Sequence, residues 1–257
     1  MIEANKMKKI FSTTSILLLC CFAFAQIQTI KSKKLEDIPT KLKYDSLKNY
    51  IGMSVYAYIG QEFYLRPKPD GSQQYGYDGF YNGTDDDFRN YEKNVYKCCN
   101  SFNASYDSMQ GRYFTVLAVT RHPKAEENPS LYGKNFFLKL VEKQSSDTCY
   151  YLYNGGSVEE AFPFTVVGYY TKCKKRYIGR KFTTQGKRWS TESEPEKDIV
   201  TAKPVSITPG KVWTVVDISI DDKYYELSFV MKSQLGEKVE IAITSALKSC
   251  YFVCPAN

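Results

Sequence analysis

Few side chains in this 257-residue chain could do chemistry. The one imidazole is His122, directly before Pro123. A Ser–His–Asp or Cys–His arrangement would have to use it. No G-x-S-x-G elbow accompanies it, and no α/β region supplies a nucleophile's scaffold, so His122 reads as a solvated loop residue. Carboxylates gather later, at Asp217, Asp221, Asp222, Glu226, Glu237 and Glu240. Two of them facing each other roughly 5–10 Å apart across a cleft would suit glycoside hydrolysis. Asp217 and Glu226 are the candidates, on the outward face of adjacent strands. Asp221-Asp222-Lys223 is turn chemistry, and an outward polar series is what a solvent face needs. A secreted hydrolase using carboxylates is thus an alternative, and no catalytic residue is assigned.

Groups suited to binding are more numerous. The stretch Arg66–Asp87, RPKPDGSQQYGYDGFYNGTDDD, is rich in Pro, Gly and Asp and reads as a long loop. Inside it sit Tyr75, Tyr77, Phe80 and Tyr81. Exposed together, they would form a platform for sugar rings or a protein partner; buried, they would cover the open end of a barrel. Asp85-Asp86-Asp87 lacks the spacing of a calcium loop and is as well explained as the cap of a short helix over residues 88–95. Lys172, Lys174, Lys175, Arg176, Arg180, Lys181, Lys187 and Arg188 form the clearest basic concentration. Such a face attracts acidic glycans, lipid headgroups or nucleic acid, and its ordinary alternative is the solvated side of a strand pair. Tyr75, Tyr77, Phe80, Tyr81, Lys174, Arg176 and Arg180 are the ligand-binding candidates. No cofactor-binding spacing occurs.

The first 25 residues read as a signal peptide. Lys8 and Lys9 precede the apolar run Ile16–Phe24, and Ala23-Phe24-Ala25 is a small-x-small cleavage site. MKKIFSTTSILLLCCFAFAQ is similar in style to leaders of exported proteins in Gram-negative bacteria. A lipid anchor on Cys20 or Cys21 is disfavoured by the bulk of the residue before each, and no later run is long enough to span a membrane. Cleavage removes three Lys and one Glu, lowering the net charge from +7 to +5. The expected location is the periplasm, the outer surface or the medium. Export and the lack of a recognition motif argue against nucleic acid as a partner.

Six cysteines remain: Cys98, Cys99, Cys149, Cys173, Cys250 and Cys254. An even number in an exported chain predicts disulfides, with the pairing open. A single His and no repeated C-x-x-C leave structural zinc without ligands, so no metal site is assigned.

The elements carrying these residues are strands. Aromatics make up 15% of the chain, with 22 Tyr and 15 Phe, a mix that favours sheets. Gly210–Gly236 reads as a hairpin. Period two puts Val212, Thr214, Val216, Ile218 and Ile220 on one face, and Tyr225, Leu227, Phe229 and Met231 on one face of the return strand. An imperfect copy lies earlier, over residues 111–143. There Tyr113, Thr115, Leu117 and Val119 form the first series, and Phe136, Leu138 and Leu140 the second. Tyr58-Ile59-Gly60-Gln61-Glu62-Phe63 matches Tyr177-Ile178-Gly179-Arg180-Lys181-Phe182, and Cys149–Asn154 matches Val239–Thr244.

These matches predict an all-β chain of two tandem diverged units: a lead-in over 26–49, a first unit over 50–156 with long loops, and a second over 157–257 that begins in earnest near Phe164. Several short strands around a hairpin, repeated, resemble SH3-like small barrels across about two thirds of the chain, with no diagnostic motif and hence no transferred ligand site. A β-roll unit, or a single β-sandwich or lipocalin-like barrel, is the alternative architecture. The functional expectation is an exported, non-catalytic binding module for a glycan, peptidoglycan fragment or protein at the cell envelope. A structural or assembly component of the envelope is the runner-up.

Overall fold

The computed structural model describes residues 42–84, 96, 103–184, 196–220, 227–248 and 252–253. It is mostly β, with two antiparallel sheets and few helices. The first sheet contains β1 (Glu62–Leu65), β2 (Phe80–Tyr81), β3 (Tyr113–Arg121), β4 (Asn135–Glu142), β5 (Thr148–Asn154) and β6 (Phe164–Val166), in the order β2-β5-β4-β3-β1-β6. The second contains β7 (Lys181–Thr184), β8 (Val212–Ile220), β9 (Leu227–Ser233), β10 (Lys238–Ala242) and β11 (Phe252–Val253), in the order β10-β9-β8-β7-β11. Among the described residues no pairing joins the edge strands of either sheet, so neither is a closed, lipocalin-like barrel.

The return strands β4 and β9 bury the residues expected of them: Phe136, Leu138 and Leu140, then Leu227, Phe229 and Met231. Tyr225 lies outside the described residues. Strands β3 and β8 do not follow simple alternation. The buried series are Phe114, Val116 and Val119, then Trp213, Val215 and Ile218. Leu117 and Val216, expected inside, are exposed, as is Tyr113. The cause is a bulge in each strand, between Val116 and Ala118 and between Val215 and Asp217. One extra residue reverses the facing of everything after it.

Each bulge is met by a glycine. Gly60 (φ +81°) donates its N–H to the Val116 carbonyl at 2.8 Å, and Val116 donates back to Gln61 at 3.0 Å. Gly179 (φ +85°) does the same to Val215 at 2.8 Å, with Val215 donating to Arg180 at 3.0 Å. Only a residue without Cβ takes that backbone without strain.

The core of the first sheet is aromatic. Tyr58 stacks on Phe162 at 5.7 Å and meets Phe63 edge-on at 4.9 Å, with Phe80, Phe114, Tyr151, Tyr153 and Phe164 around them. The second core is built on Trp213, Phe182, Phe229, Met231 and Ile241. Cys149 belongs to the first core and Cys173 to the second, and both are free thiols. Neither is in a disulfide among the described residues, and each is buried against its own apolar cluster. Cys98, Cys99, Cys250 and Cys254 lie outside the described residues.

Around Phe164 the outcome departs from expectation. Phe164–Val166, where the second unit was expected to begin, is an edge strand of the first sheet, paired with β1. Its outer edge is closed by buried Asn49, whose amide donates to the Phe164 carbonyl at 2.9 Å and accepts from the Val166 N–H at 2.8 Å. Val167–Tyr177 is then an α-helix that carries Lys172, Lys174, Lys175 and Arg176 of the basic cluster expected on a strand pair. Lys181 does lie in β7, and Lys187 and Arg188 lie outside the described residues. Tyr169, Cys173 and Tyr177 recur at the helical spacing of four and face the cores, while Lys174, Lys175 and Arg176 in the last turn complement the negative end of the helix dipole. Tyr169 packs against both cores. Among the described residues no helix is long and apolar enough to cross a membrane.

The connection into β8 is held by buried Asp198. Its carboxylate accepts N–H groups from Lys238 at 2.8 Å, Thr201 at 2.7 Å and Val200 at 2.9 Å. Those donors, Lys238 foremost, bring its pKa from 3.8 down to about 2.

Two predictions follow from these contacts. Replacing Gly60 or Gly179 with Ala forces a side chain into positive φ where nothing blocks the added carbon, so strain alone is measured. The expected loss is about 1–2 kcal/mol at either position, read by urea unfolding. Asp198 has a depressed folded-state pKa, so its contribution is complete above its ordinary 3.8 and fades as pH falls through about 2. Asp198→Asn should lower Tm near neutrality and flatten the acid limb of the Tm–pH curve; an unchanged limb would show that the three N–H contacts do not hold the carboxylate.

Candidate functional site

The loop aromatics do not form a platform. Tyr77 and Phe80 are 1% and 0% exposed. Tyr77 exchanges backbone hydrogen bonds with Ala104 and donates its hydroxyl to the Arg66 carbonyl at 2.7 Å. Phe80 pairs with Tyr151 across β2 and β5 and sits in the first core. Tyr81 is half-buried with its ring edge against Phe137, and only Tyr75 is open to solvent. Burial of these apolar rings outweighs any gain from leaving them wet, so the loop folds back as the edge and plug of the first sheet.

His122 is buried rather than solvated. Its ring lies parallel to Tyr132 at 4.2 Å, stacks on Phe137 at 5.5 Å, and its Nδ1 accepts the Lys124 N–H at 3.2 Å. It pins the connection between β3 and β4 instead of facing a nucleophile.

Two of the candidate carboxylates of the second sheet, Asp217 and Glu237, are matched with lysines. Asp217 lies 2.9 Å from Lys174, which lowers its pKa, and accepts the Ile218 N–H at 2.8 Å. Glu237 lies 2.6 Å from Lys211 and accepts the Ser233 hydroxyl at 2.6 Å. Asp221, Asp222 and Glu226 lie outside the described residues. Among the described residues no three His, Cys, Asp or Glu side chains are grouped to hold a metal ion.

The basic candidates separate. Lys174 is committed to Asp217 and to the Tyr170 hydroxyl at 3.1 Å, and its pKa rises through both partners. Arg180 is exposed beyond the end of the helix, its carbonyl receiving Val215. Arg176 is different. It lines a cleft of about 190 Å³ that also takes Tyr169, Lys172, Cys173 and Tyr177 from the same helix. The opposite wall is Ile243, Thr244 and Leu247, from the short helix Ile243–Lys248, and Ser46 with Leu47 closes one end.

Sequence reasoning listed Lys172 only as part of a charge run and missed Tyr169, Tyr177 and the far wall. The signal was present in the spacing of residues 169, 172, 173, 176 and 177, which one helical face gathers.

Inside the cleft, burial raises the pKa of the Cys173 thiol, partly offset by its hydrogen bond with Tyr169 and by Arg176. Burial, followed by the proximity of Cys173, raises that of the Tyr169 hydroxyl. Burial thus favours the neutral form of both groups. The Arg176 guanidinium rests 5.4 Å over the Tyr177 ring. The lining thus offers two cations, hydroxyls and apolar surface, and no carboxylate.

The loop assignment generates a clear expectation. Phe80→Ala should cost about 3–5 kcal/mol in urea unfolding, as for an aromatic removed from a core, whereas Tyr75→Ala should leave stability within error. No family model, no curated protein and no solved structure matches this chain.

Proposed function

We propose that the protein is an exported, non-catalytic binding module built from two diverged copies of one SH3-like β unit, taking a glycan, peptidoglycan fragment or protein at the cell envelope. The observation that carries this reading is the cleft beside the helix Val167–Tyr177, where Lys172 and Arg176 stand in a lining that has no carboxylate. The lysine partners of Asp217 and Glu237 support its non-catalytic half, since a general acid–base pair needs carboxyls available to substrate.

Duplication is supported by strand order and register. The run β5-β4-β3-β1-β6 in the first sheet parallels β10-β9-β8-β7-β11 in the second. Phe63 faces Phe114 as Phe182 faces Trp213, and bulge and glycine recur at matching places. Export rests on the basic, apolar and small-residue succession of the first 25 residues.

The test is a sedimentation and array screen of the full chain against insoluble peptidoglycan, glycans and envelope proteins, with product analysis of every bound material. The expected result is saturable binding with the ligand recovered intact. Cleavage of a bound glycan, or no binding across the screen, would defeat the reading.

A further inference from the structure

The cleft has enough definition to name the chemistry of what it takes. We propose that it binds a terminal carboxylate carried on a short apolar group, with Arg176 and Lys172 holding the carboxylate and Leu47, Ile243 and Leu247 covering the apolar part. The assignment rests on the reading of the chain as a binding module and deepens it.

Size comes first. A volume of about 190 Å³ is small for a sugar chain or a folded epitope. It lies below the ~300–1,000 Å³ of pockets that enclose a whole drug-sized ligand, so it takes the end of a ligand rather than all of it. Charge comes second. Both ionic groups in the lining are exposed cations four residues apart on one helical face, so one bound anion can lie within reach of both.

Geometry favours a carboxylate. A guanidinium presents paired N–H groups in a planar fork that matches two carboxylate oxygens. Arg176 is already held over Tyr177, so little side-chain freedom is lost on binding. The third consideration is the opposite wall. Leu47 and Leu247 are 53% and 45% exposed, half-wet apolar surface at the edge of a charged site. An inorganic anion would leave that surface wet. A carboxylate with a few attached carbons dries it and meets the cations together.

Lys174, an expected ligand residue, has no part in this, because Asp217 already holds it. Lys175, exposed on the same helix and outside the cleft, serves as a control of equal charge.

Such a carboxylate could come from a peptide C-terminus or from a free short-chain acid. The experiment is calorimetric and ligand-observed NMR titration of the full chain with four probes: hexanoate, hexanamide, an acetylated Gly-Ala dipeptide with a free carboxylate, and its C-terminal amide. At least one acid should bind at millimolar concentration, with its amide roughly tenfold weaker, the size of one lost charge-assisted contact. Arg176→Gln and Lys172→Gln should each weaken the acid by a similar factor, and Lys175→Gln should not.

Tighter binding of the dipeptide assigns the site to peptide ends, and tighter binding of hexanoate to free acids. Acid and amide binding alike, neither acid binding, or Arg176→Gln behaving as Lys175→Gln would overturn the assignment. If an envelope ligand is found whose binding ignores Arg176→Gln, this assignment falls while the binding-module reading stands. If the screen and the probes are both silent, the two fall together.

Discussion

The constraint on which both sheets depend is the hydrogen bond from a positive-φ glycine to the carbonyl at a strand bulge. Gly60 to Val116 and Gly179 to Val215 are made at the same 2.8 Å. A bulge alone leaves its carbonyl unpaired and bends its strand. The glycine satisfies that carbonyl, and the returning bond from the valine N–H fixes where the short strand after the glycine begins. Register follows from there: Phe63 opposite Phe114 in one sheet, Phe182 opposite Trp213 in the other. These are large fully buried side chains, so the polar contact at the bulge decides which rings meet in each core.

That constraint also explains why the two sheets carry different surroundings without losing their order. Between β1 and β3 the described residues 66–84 and 103–112 include β2, Tyr77 and a buried arginine, and add Tyr77, Phe80 and Ala104 to the first core. The segment before β1 is a short 3-10 stretch, Gly52–Tyr58, whereas the segment before β7 is three turns of α-helix. A helix that long has a second face. Tyr169 fills the gap between the cores, and the next residues along the same side, Lys172 and Arg176, arrive at the cleft. The difference between the two sheets therefore lies where a site can form, and the shared geometry lies where the strands need it.

How much could be read from residues alone varied with how each element buries itself. In strand β4 the core series Phe136, Leu138 and Leu140 was legible against Lys139 on the other face, whereas the burial of Phe137 on that second face, against His122, was not. Strands β3 and β8 were not, since YFTVLAV and VWTVVDI offer apolar or aromatic residues at both parities and a bulge has no composition of its own. The helix Val167–Tyr177 was hidden by Val166, Val167, Tyr169 and Tyr170, residue types that favour strands when taken singly. The period-four recurrence of Tyr169, Cys173 and Tyr177 decides otherwise once two cores are available to receive it. Of the cleft, only the helical face carrying Tyr169, Lys172, Cys173, Arg176 and Tyr177 was legible, through its spacing. The walls come from residues 46–47, 169–177 and 243–247, brought together only by the packing of both sheets.

Charge placement ties the fold to the reading of function. Several carboxylates of the sheets and their turns have cationic neighbours: Glu62 with Lys143 at 2.8 Å, Asp217 with Lys174, Glu237 with Lys211, and buried Glu142 with Arg112 at 3.6 Å. Exposed pairs of this kind add little stability, but they cancel the local field and leave those surfaces indifferent to ions. The cleft lining holds Lys172 and Arg176 with no carboxylate beside them in the wall, Glu159 being near enough to act on Tyr169. A positive spot bordered by half-dry leucines costs free energy in two ways when empty, through mutual repulsion of the cations and through wetted apolar surface. A small anion with an apolar tail relieves both, which neither a bare ion nor a neutral hydrocarbon can do.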